Sequence, residues 1–130
     1  MKNIELLAPV GSKESLEVAI KSKADAIYLG LANFNARVNA QNFNNDTIRD
    51  VTRLAHLYGV KVYVTINTLI NNDEFNDFLD TVKSAINAKV DAFIIQDLGV
   101  ASILKSAFPN IVMHASTQMG IHNLEGAKIA

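Results

Sequence analysis

Short apolar runs alternate along the chain with segments in which apolar residues recur every three or four positions. The short runs have the length and the β-branched content of buried strands, and they occupy residues 4–10, 26–30, 60–66, 91–96 and 111–115. The segments between them have the spacing of one apolar helix face. The pattern therefore predicts five consecutive strand-helix units.

The predicted helices have recognisable capping and terminating residues. Ser12 is expected to cap the first helix and Asn72 or Asp73 the third. The second helix is expected to start near Asn45 or Asp46 and the fourth at Leu98, directly after Asp97, and these two helices end at Gly59 and before Pro109. A fifth helix begins at Asn123 but has no second complete turn of apolar face. These boundaries predict helices that connect successive strands.

Strict alternation of strands and helices indicates one α/β domain over residues 1–130. Apolar strands that are joined through helices pair in parallel and need cover on both faces. The pattern fits the first five β/α units of a TIM-type (β/α)8 barrel, and it also fits an open doubly wound sheet. The unfinished fifth helix favours a barrel that is cut before it closes, since a complete barrel takes roughly 250 residues.

The composition is that of a folded domain, with 49% hydrophobic and 19% charged residues. A net charge of -1 gives no global attraction for nucleic acid or anionic membranes, although a local basic patch is compatible with it. The N-terminus lacks a secretory signal, and no apolar run reaches the roughly 18 residues of a membrane span. We therefore expect a cytoplasmic protein without a membrane partner.

The chain contains no cysteine, which removes disulfides, thiolate nucleophiles and cysteine-held metal centres from this segment. His114 and His122 are eight residues apart, a spacing that matches no compact metal motif, so no metal site is predicted. The motifs HExxH, GxSxG, GxxxxGK[ST] and GxGxxG are also absent. No familiar catalytic set is complete in this chain.

Candidate binding residues follow the second and third predicted strands, where the loops of an α/β fold converge. The connection at residues 31–43 is long and rich in amides; Asn35 could bond a polar ligand and Arg37 could clamp a carboxylate or phosphate. On the third strand, Tyr63, Thr65 and Asn67 alternate toward the barrel interior, with Asn67 nearest its mouth. The alternative is that these polar groups only satisfy turns and buried backbone.

Candidate catalytic residues follow the fourth strand and lie on the fifth. Asp97 is placed to act as a general base, a metal ligand or a plain helix N-cap, and the cap is the commoner role. His114 could transfer protons, and Ser116 and Gln118, which share its face, are further candidate substrate-binding residues. The alternative is a structural His114 and a helix-capping His122.

Six motifs carry a resemblance over nearly the whole chain. They are ELLAPVG (5–11), DAIYLG (25–30), FNAR (34–37), VYVTINTL (62–69), IQDLG (95–99) and HASTQM (114–119). In this order they resemble the N-terminal part of a collagenase-like peptidase family, the thirty-second family of unassigned catalytic type. The resemblance implies a barrel that continues beyond Ala130.

The resemblance implies two activities. Some family members are described as proteases, so the leading expectation is peptide hydrolysis by an unknown mechanism, with Asp97 as base, His114 as proton carrier and a peptide or protein substrate. Other members are linked to oxygen-independent hydroxylation of RNA bases or quinone precursors, with an iron-sulfur cluster held by cysteines further along the chain. The segment itself is expected to carry no cluster.

A third hypothesis concerns the 130 residues alone. They could fold into an inactive fragment whose open sheet edge pairs with a second copy. Enzymatic activity is then expected of the parent protein and not of the fragment.

Overall fold

The computed structural model describes residues 4–36 and 43–130, and its strands form one parallel sheet. The strands are β1 (Leu7–Pro9), β2 (Ala26–Gly30), β3 (Lys61–Ile66), β4 (Ala92–Ile95) and β5 (Met113–Ala115). Each pairs in parallel with its neighbour in the chain, so that the sheet order is β1-β2-β3-β4-β5. All five predicted strands are confirmed.

Five helices follow the five strands. They are α1 (Lys13–Lys21), α2 (Thr47–Leu57), α3 (Phe75–Asn87), α4 (Leu98–Ala107) and α5 (Leu124–Ile129), and single 3₁₀ turns occupy Asn72–Glu74 and Thr117–Met119. The first strand is shorter than the predicted 4–10, because Ile4 is 94% exposed and lies outside the sheet. None of the helices in the described ranges is long and apolar enough to cross a bilayer.

Strand order separates the two architectures that the sequence left open. A doubly wound sheet reverses its strand order at a switch point, whereas a (β/α) barrel adds each strand beside the previous one. The observed order follows the chain without reversal. The chain therefore has the arrangement of five barrel units, and the doubly wound alternative is wrong.

The apolar core confirms this arrangement, because it lies on one face of the sheet. Val62, Val64 and Ile66 of β3 belong to a buried cluster that includes side chains from α1 to α4. The opposite face carries a small cluster built from strand residues, with Tyr63 and Ala92 at its centre. The predicted alternation on β3 is thus correct, and the helix-free face corresponds to the barrel interior.

The starts of α1 and α2 lie where the sequence predicts them. Ser12 caps α1 as expected, accepting a hydrogen bond from the backbone of Ser15 at 3.2 Å. Helix α2 begins at Thr47 with Asp46 in the N-cap position, although the Asp46 side chain makes no capping bond. The side chain that caps α2 is Asn44, whose Oδ1 accepts from the backbone of Asp46 and Thr47 at 3.0 and 2.8 Å.

The third helix is preceded by a 3₁₀ turn, which moves its start. The backbone of Asn71 donates to the carboxylate of Glu74 at 2.8 Å, and α3 begins at Phe75, so Asn72 and Asp73 lie inside the turn. At the last helix, Asn123 accepts from Gly126 at 2.8 Å. The expected capping role of His122 is wrong, because its Nδ1 lies 2.9 Å from the carbonyl oxygen of Gly120.

Candidate functional site

Asn67 joins three loops at the edge where the strands end. Its Oδ1 accepts from the backbone of Ala36 at 3.1 Å, in the loop after β2. Its Nδ2 donates to Oε1 of Gln118 at 2.9 Å and approaches Oγ of Ser116 at 3.4 Å, both after β5. The structure therefore brings together three of the predicted binding residues, and we call Asn67, Ser116 and Gln118 the amide cluster.

The loop after β2 is anchored on both sides of Asn35. Asn35 is only 3% exposed, and its Nδ2 donates to the carbonyl of Leu31. Phe34 has a φ of 63°, a costly conformation for a bulky residue, and its ring packs edge-on against Phe78 at 5.8 Å. Packing thus holds Asn35 and Ala36 in place beside Asn67. The predicted Arg37 lies outside the described residues.

Asn67 and Ser116 of the amide cluster line a cavity of about 420 Å³ on the interior face of the sheet. Its lining includes Tyr28, Thr65, Ile94 and His114. The hydroxyl of Thr65 donates to the carbonyl of Leu29 at 3.0 Å. This side chain therefore satisfies a buried backbone group, which was the alternative to a binding role. The cavity combines aromatic and apolar walls with polar groups at its rim.

His114 lies in this cavity with its ring edge-on to Tyr63, at a centroid distance of 4.8 Å. Within residues 4–36 and 43–130, its imidazole makes this aromatic contact but no hydrogen bond. Both ring nitrogens are therefore available to a ligand. The predicted role of His114 in proton transfer is compatible with this position.

Below His114, Glu5, Lys61 and Tyr63 form a charged group that the sequence analysis did not identify. The Tyr63 hydroxyl donates to Oε1 of Glu5 at 2.7 Å, and Nζ of Lys61 donates to Oε2 at 2.9 Å. Two signals could have revealed it. Glu5 is a charged residue within an apolar run. Lys61 lies two residues before Tyr63 on the same strand, so both side chains lie on the inward face of the sheet.

These contacts shift the titration of all three groups. The Lys61 and Tyr63 hydrogen bonds hold the pKa of Glu5 below its ordinary value of 4.5. Burial, and then the bond to Glu5, raises the pKa of Tyr63. The same carboxylate raises the pKa of Lys61. At neutral pH the group therefore consists of a carboxylate, an ammonium and a neutral phenol.

Asp97 serves as the N-cap of α4. Its Oδ1 accepts from the backbone of Gly99 at 2.7 Å and of Val100 at 3.1 Å. Its Oδ2 accepts from Ile70 at 3.3 Å, which ties the loop after β3 to α4. No described hydrogen bond or ion pair joins Asp97 to His114. The structure thus places the two predicted catalytic residues in separate sets of contacts.

This segment does not itself supply ligands for the iron-sulfur cluster that the resemblance implies. Such clusters are held chiefly by cysteine thiolates, and this sequence has none, whereas the resemblance places the cysteines further along the chain. Among the described residues, no group of three His, Asp or Glu side chains is placed to hold a metal ion. The residues that remain are suited to binding, orientation and proton transfer.

Comparison with known proteins identifies the family. The model of peptidase family U32 matches residues 11–130. The chain is 40% identical over 96% of its length to the 23S rRNA 5-hydroxycytidine C2501 synthase of Escherichia coli and 34% identical over 94% to tRNA hydroxylation protein P1 of Bacillus subtilis. It is 35% identical over 98% to a collagenase of Porphyromonas gingivalis.

The chain spans 18%, 29% and 31% of the lengths of these three relatives. Among solved structures, the U32 peptidase Mk0906 aligns with a TM-score of 0.75 over 98% of this chain and 54% of that chain, at 14% identity. This likeness agrees with the barrel arrangement of the strands. With nearly the whole chain matched by the family model, the protein belongs to peptidase family U32.

Proposed function

We propose that the chain forms the N-terminal part of a barrel enzyme that hydroxylates RNA bases. The observation that carries the proposal is the amide cluster at the rim of the interior cavity. Side-chain amides and hydroxyls supply both donors and acceptors, which suits the edge of a nucleobase. The names of two relatives, one acting on ribosomal and one on transfer RNA, agree with this choice.

The cavity suits a single base better than a duplex. An enzyme that modifies a base takes it out of the stack and holds it in a pocket, where polar groups meet its edge and flat groups meet its face. In our proposal, Asn67 and Gln118 contact the edge while Tyr28 and His114 border the ring. A cavity of about 420 Å³ is within the size range of small-molecule sites.

Peptide hydrolysis remains the second candidate, because one relative is named a collagenase. A hydrolase needs a nucleophile or an activated water, a base and a charge-stabilising group within mutual reach. In the described part of this chain, backbone donors occupy both carboxylate oxygens of Asp97. Asp97 is thus engaged as a helix cap and is not presented as a free base for peptide hydrolysis.

The proposal is tested in cells that lack the gene. Nucleosides from total tRNA and rRNA are compared by mass spectrometry between the parent strain, the deletion strain and the complemented strain. We expect the deletion to remove a nucleoside that carries one additional oxygen atom, and the complete gene to restore it.

A different result would replace the proposal. If the RNA of the deletion strain is unchanged, and the purified complete gene product cleaves peptides in the presence of controls for contaminating proteases, the peptidase assignment is preferred. The second assay uses gelatin and a fluorogenic peptide library, so that a narrow specificity is not missed.

A further inference from the structure

Two of the chain's three arginines line one groove on its outer surface. The groove lies between α2 and the C-terminal end of α3, and its basic residues are Arg49, Arg53, His56 and Lys89. None of the described residues that line it is acidic. A chain with a net charge of -1 thus concentrates positive charge at this place.

Three of these basic residues form no ion pair with any residue in the described ranges. Arg49, Arg53 and Lys89 are exposed, and none of them takes part in an ion pair among the described residues. His56 differs, because its Nε2 lies 2.8 Å from the carboxylate of Asp91. Arg49 and Arg53 are four residues apart on one face of α2, about 6 Å along the helix axis.

Lys89 occupies a position that ordinarily favours glycine. It follows α3 with a φ of 66°, in the left-handed region, whereas the corresponding position after α2 holds Gly59. Lys23 has the same conformation after α1, with a φ of 58°, but does not line the groove. Lys23 and Lys89 thus share a backbone conformation and a position after a helix, but only Lys89 lines the groove.

We propose that the groove formed by Arg49, Arg53 and Lys89 binds the phosphate backbone of the RNA on the outer surface of the barrel. The inference rests on the proposed action on RNA. A guanidinium group can donate two parallel hydrogen bonds to the oxygens of one phosphate. Such contacts position a nucleic acid independently of its sequence. RNA is preferred to an acidic peptide because relatives of the chain are named for RNA hydroxylation.

The groove runs along the outer surface of the sheet, parallel to α2. Arg49 lies in the first turn of α2, and each helix of this fold begins on the side where the strands end. His56 lies in the last turn of α2 and Lys89 follows α3, so these two residues lie on the side where the strands begin. The groove can therefore follow an RNA backbone along the outside of the barrel, from one side of the sheet toward the other.

The test uses the complete gene product and a fluorescein-labelled, unmodified tRNA transcript, with binding measured by fluorescence anisotropy over a series of salt concentrations. The groove variant combines Arg49→Gln, Arg53→Gln and Lys89→Gln. The control combines Lys21→Gln, Lys23→Gln and Lys83→Gln, which removes the same charge at exposed positions outside the groove. Thermal unfolding verifies that both variants are folded, and Arg53→Gln alone replaces the triple variant if it is not.

We expect the groove variant to bind tRNA about tenfold or more weakly, with a salt slope reduced by about 2 to 3, and the control to match wild type. Equal losses in both variants, or no loss in either, would overturn the inference. So would a groove variant that loses binding to poly-glutamate but not to tRNA. In each case nucleoside analysis of the deletion strain decides the RNA-hydroxylation proposal separately.

Discussion

The side-chain nitrogen of Asn67 lies 2.9 Å from the side-chain oxygen of Gln118, although 51 residues separate them in the chain. The same Asn67 accepts a bond from the backbone of Ala36. One amide thus sets the relative positions of the loops after β2, β3 and β5. Its removal should affect the rim of the cavity more than the fold.

Replacing Asn67 by alanine should weaken substrate binding without unfolding the protein. Asn67 is only half-buried, so the loss of its hydrogen bonds should lower the free energy of unfolding by about 1 kcal/mol. A lost contact to the base would reduce RNA hydroxylation by roughly tenfold. Nucleoside mass spectrometry of a complemented deletion strain measures this, and Asn76→Ala, at an exposed amide on α3, is the control. Full activity of Asn67→Ala would remove the amide cluster from the site.

Two substitutions of Asp97 distinguish a capping role of its side chain from a catalytic role. Alanine should lower the free energy of unfolding by about 1 to 2 kcal/mol, because it removes the cap of α4. Asparagine retains the oxygen that accepts from Gly99 and Val100 and loses only the acceptor of the longer bond from Ile70, so Asp97→Asn should be more stable than Asp97→Ala. If Asp97 only caps, Asp97→Asn also retains activity.

A general base would give a different result for Asp97. The asparagine variant would then be stable and yet lose about a hundredfold or more of its activity. Urea denaturation and nucleoside analysis on the same preparations distinguish the two outcomes. Ser12→Ala, which removes the cap of α1, supplies the cost of a lost cap elsewhere in the fold.

The Glu5, Lys61 and Tyr63 group should make stability depend on pH at both ends of the scale. The pKa of Glu5 is lowered by folding, so its contribution is present above the ordinary carboxyl pKa and is lost as the pH falls through the lowered value. The pKa values of Tyr63 and Lys61 are raised, so their contributions are lost as the pH rises through those higher values.

Glu5→Gln should therefore be less stable than wild type at neutral pH, and this difference should shrink in acid and in strong alkali. Urea midpoints across the pH range measure it. The control is Glu17→Gln, which removes a carboxylate from an exposed surface pair with Lys21. Its stability difference from wild type should not shrink in acid or in alkali. A constant difference for Glu5→Gln at all pH values would contradict the coupling.

The 130 residues alone should self-associate. In the described part of the chain β5 pairs only with β4, and the nearby Val112, Leu124 and Ile129 are 52%, 69% and 78% exposed. An open edge with apolar neighbours is a template for pairing. Sedimentation velocity should show a concentration-dependent dimer that Val112→Lys weakens and Val18→Lys, at an exposed position on α1, does not. A monomer at every concentration would exclude pairing through this edge.

The sequence predicted the strands and the inward face of β3 because these follow from local periodicity. Asn67 was recognised in this way, by its two-residue steps from Tyr63. Its partners were not, since contacts between residues 31 to 51 positions apart depend on how the loops fold. The contact between Glu5 and Tyr63, 58 positions apart, was missed for the same reason.

Helix caps were the least accurate part of the prediction. Asn44, Asn45 and Asp46 are all good capping residues, and only the observed backbone geometry selects Asn44. For α2 several residues could fill one role, whereas Asp97 could fill several roles, because a carboxylate at the end of a strand can be a base or a cap. Its two oxygens accept from three backbone groups, a distribution that only coordinates reveal.

The agreement between strand order and chain order bears on how the protein folds during synthesis. Each strand pairs with the one made just before it, although paired residues lie 19 to 35 positions apart in the chain. No strand of the described sheet lies between two strands that are both made later. The units of this sheet can therefore fold one at a time during synthesis, because each new strand pairs with an edge that is already formed.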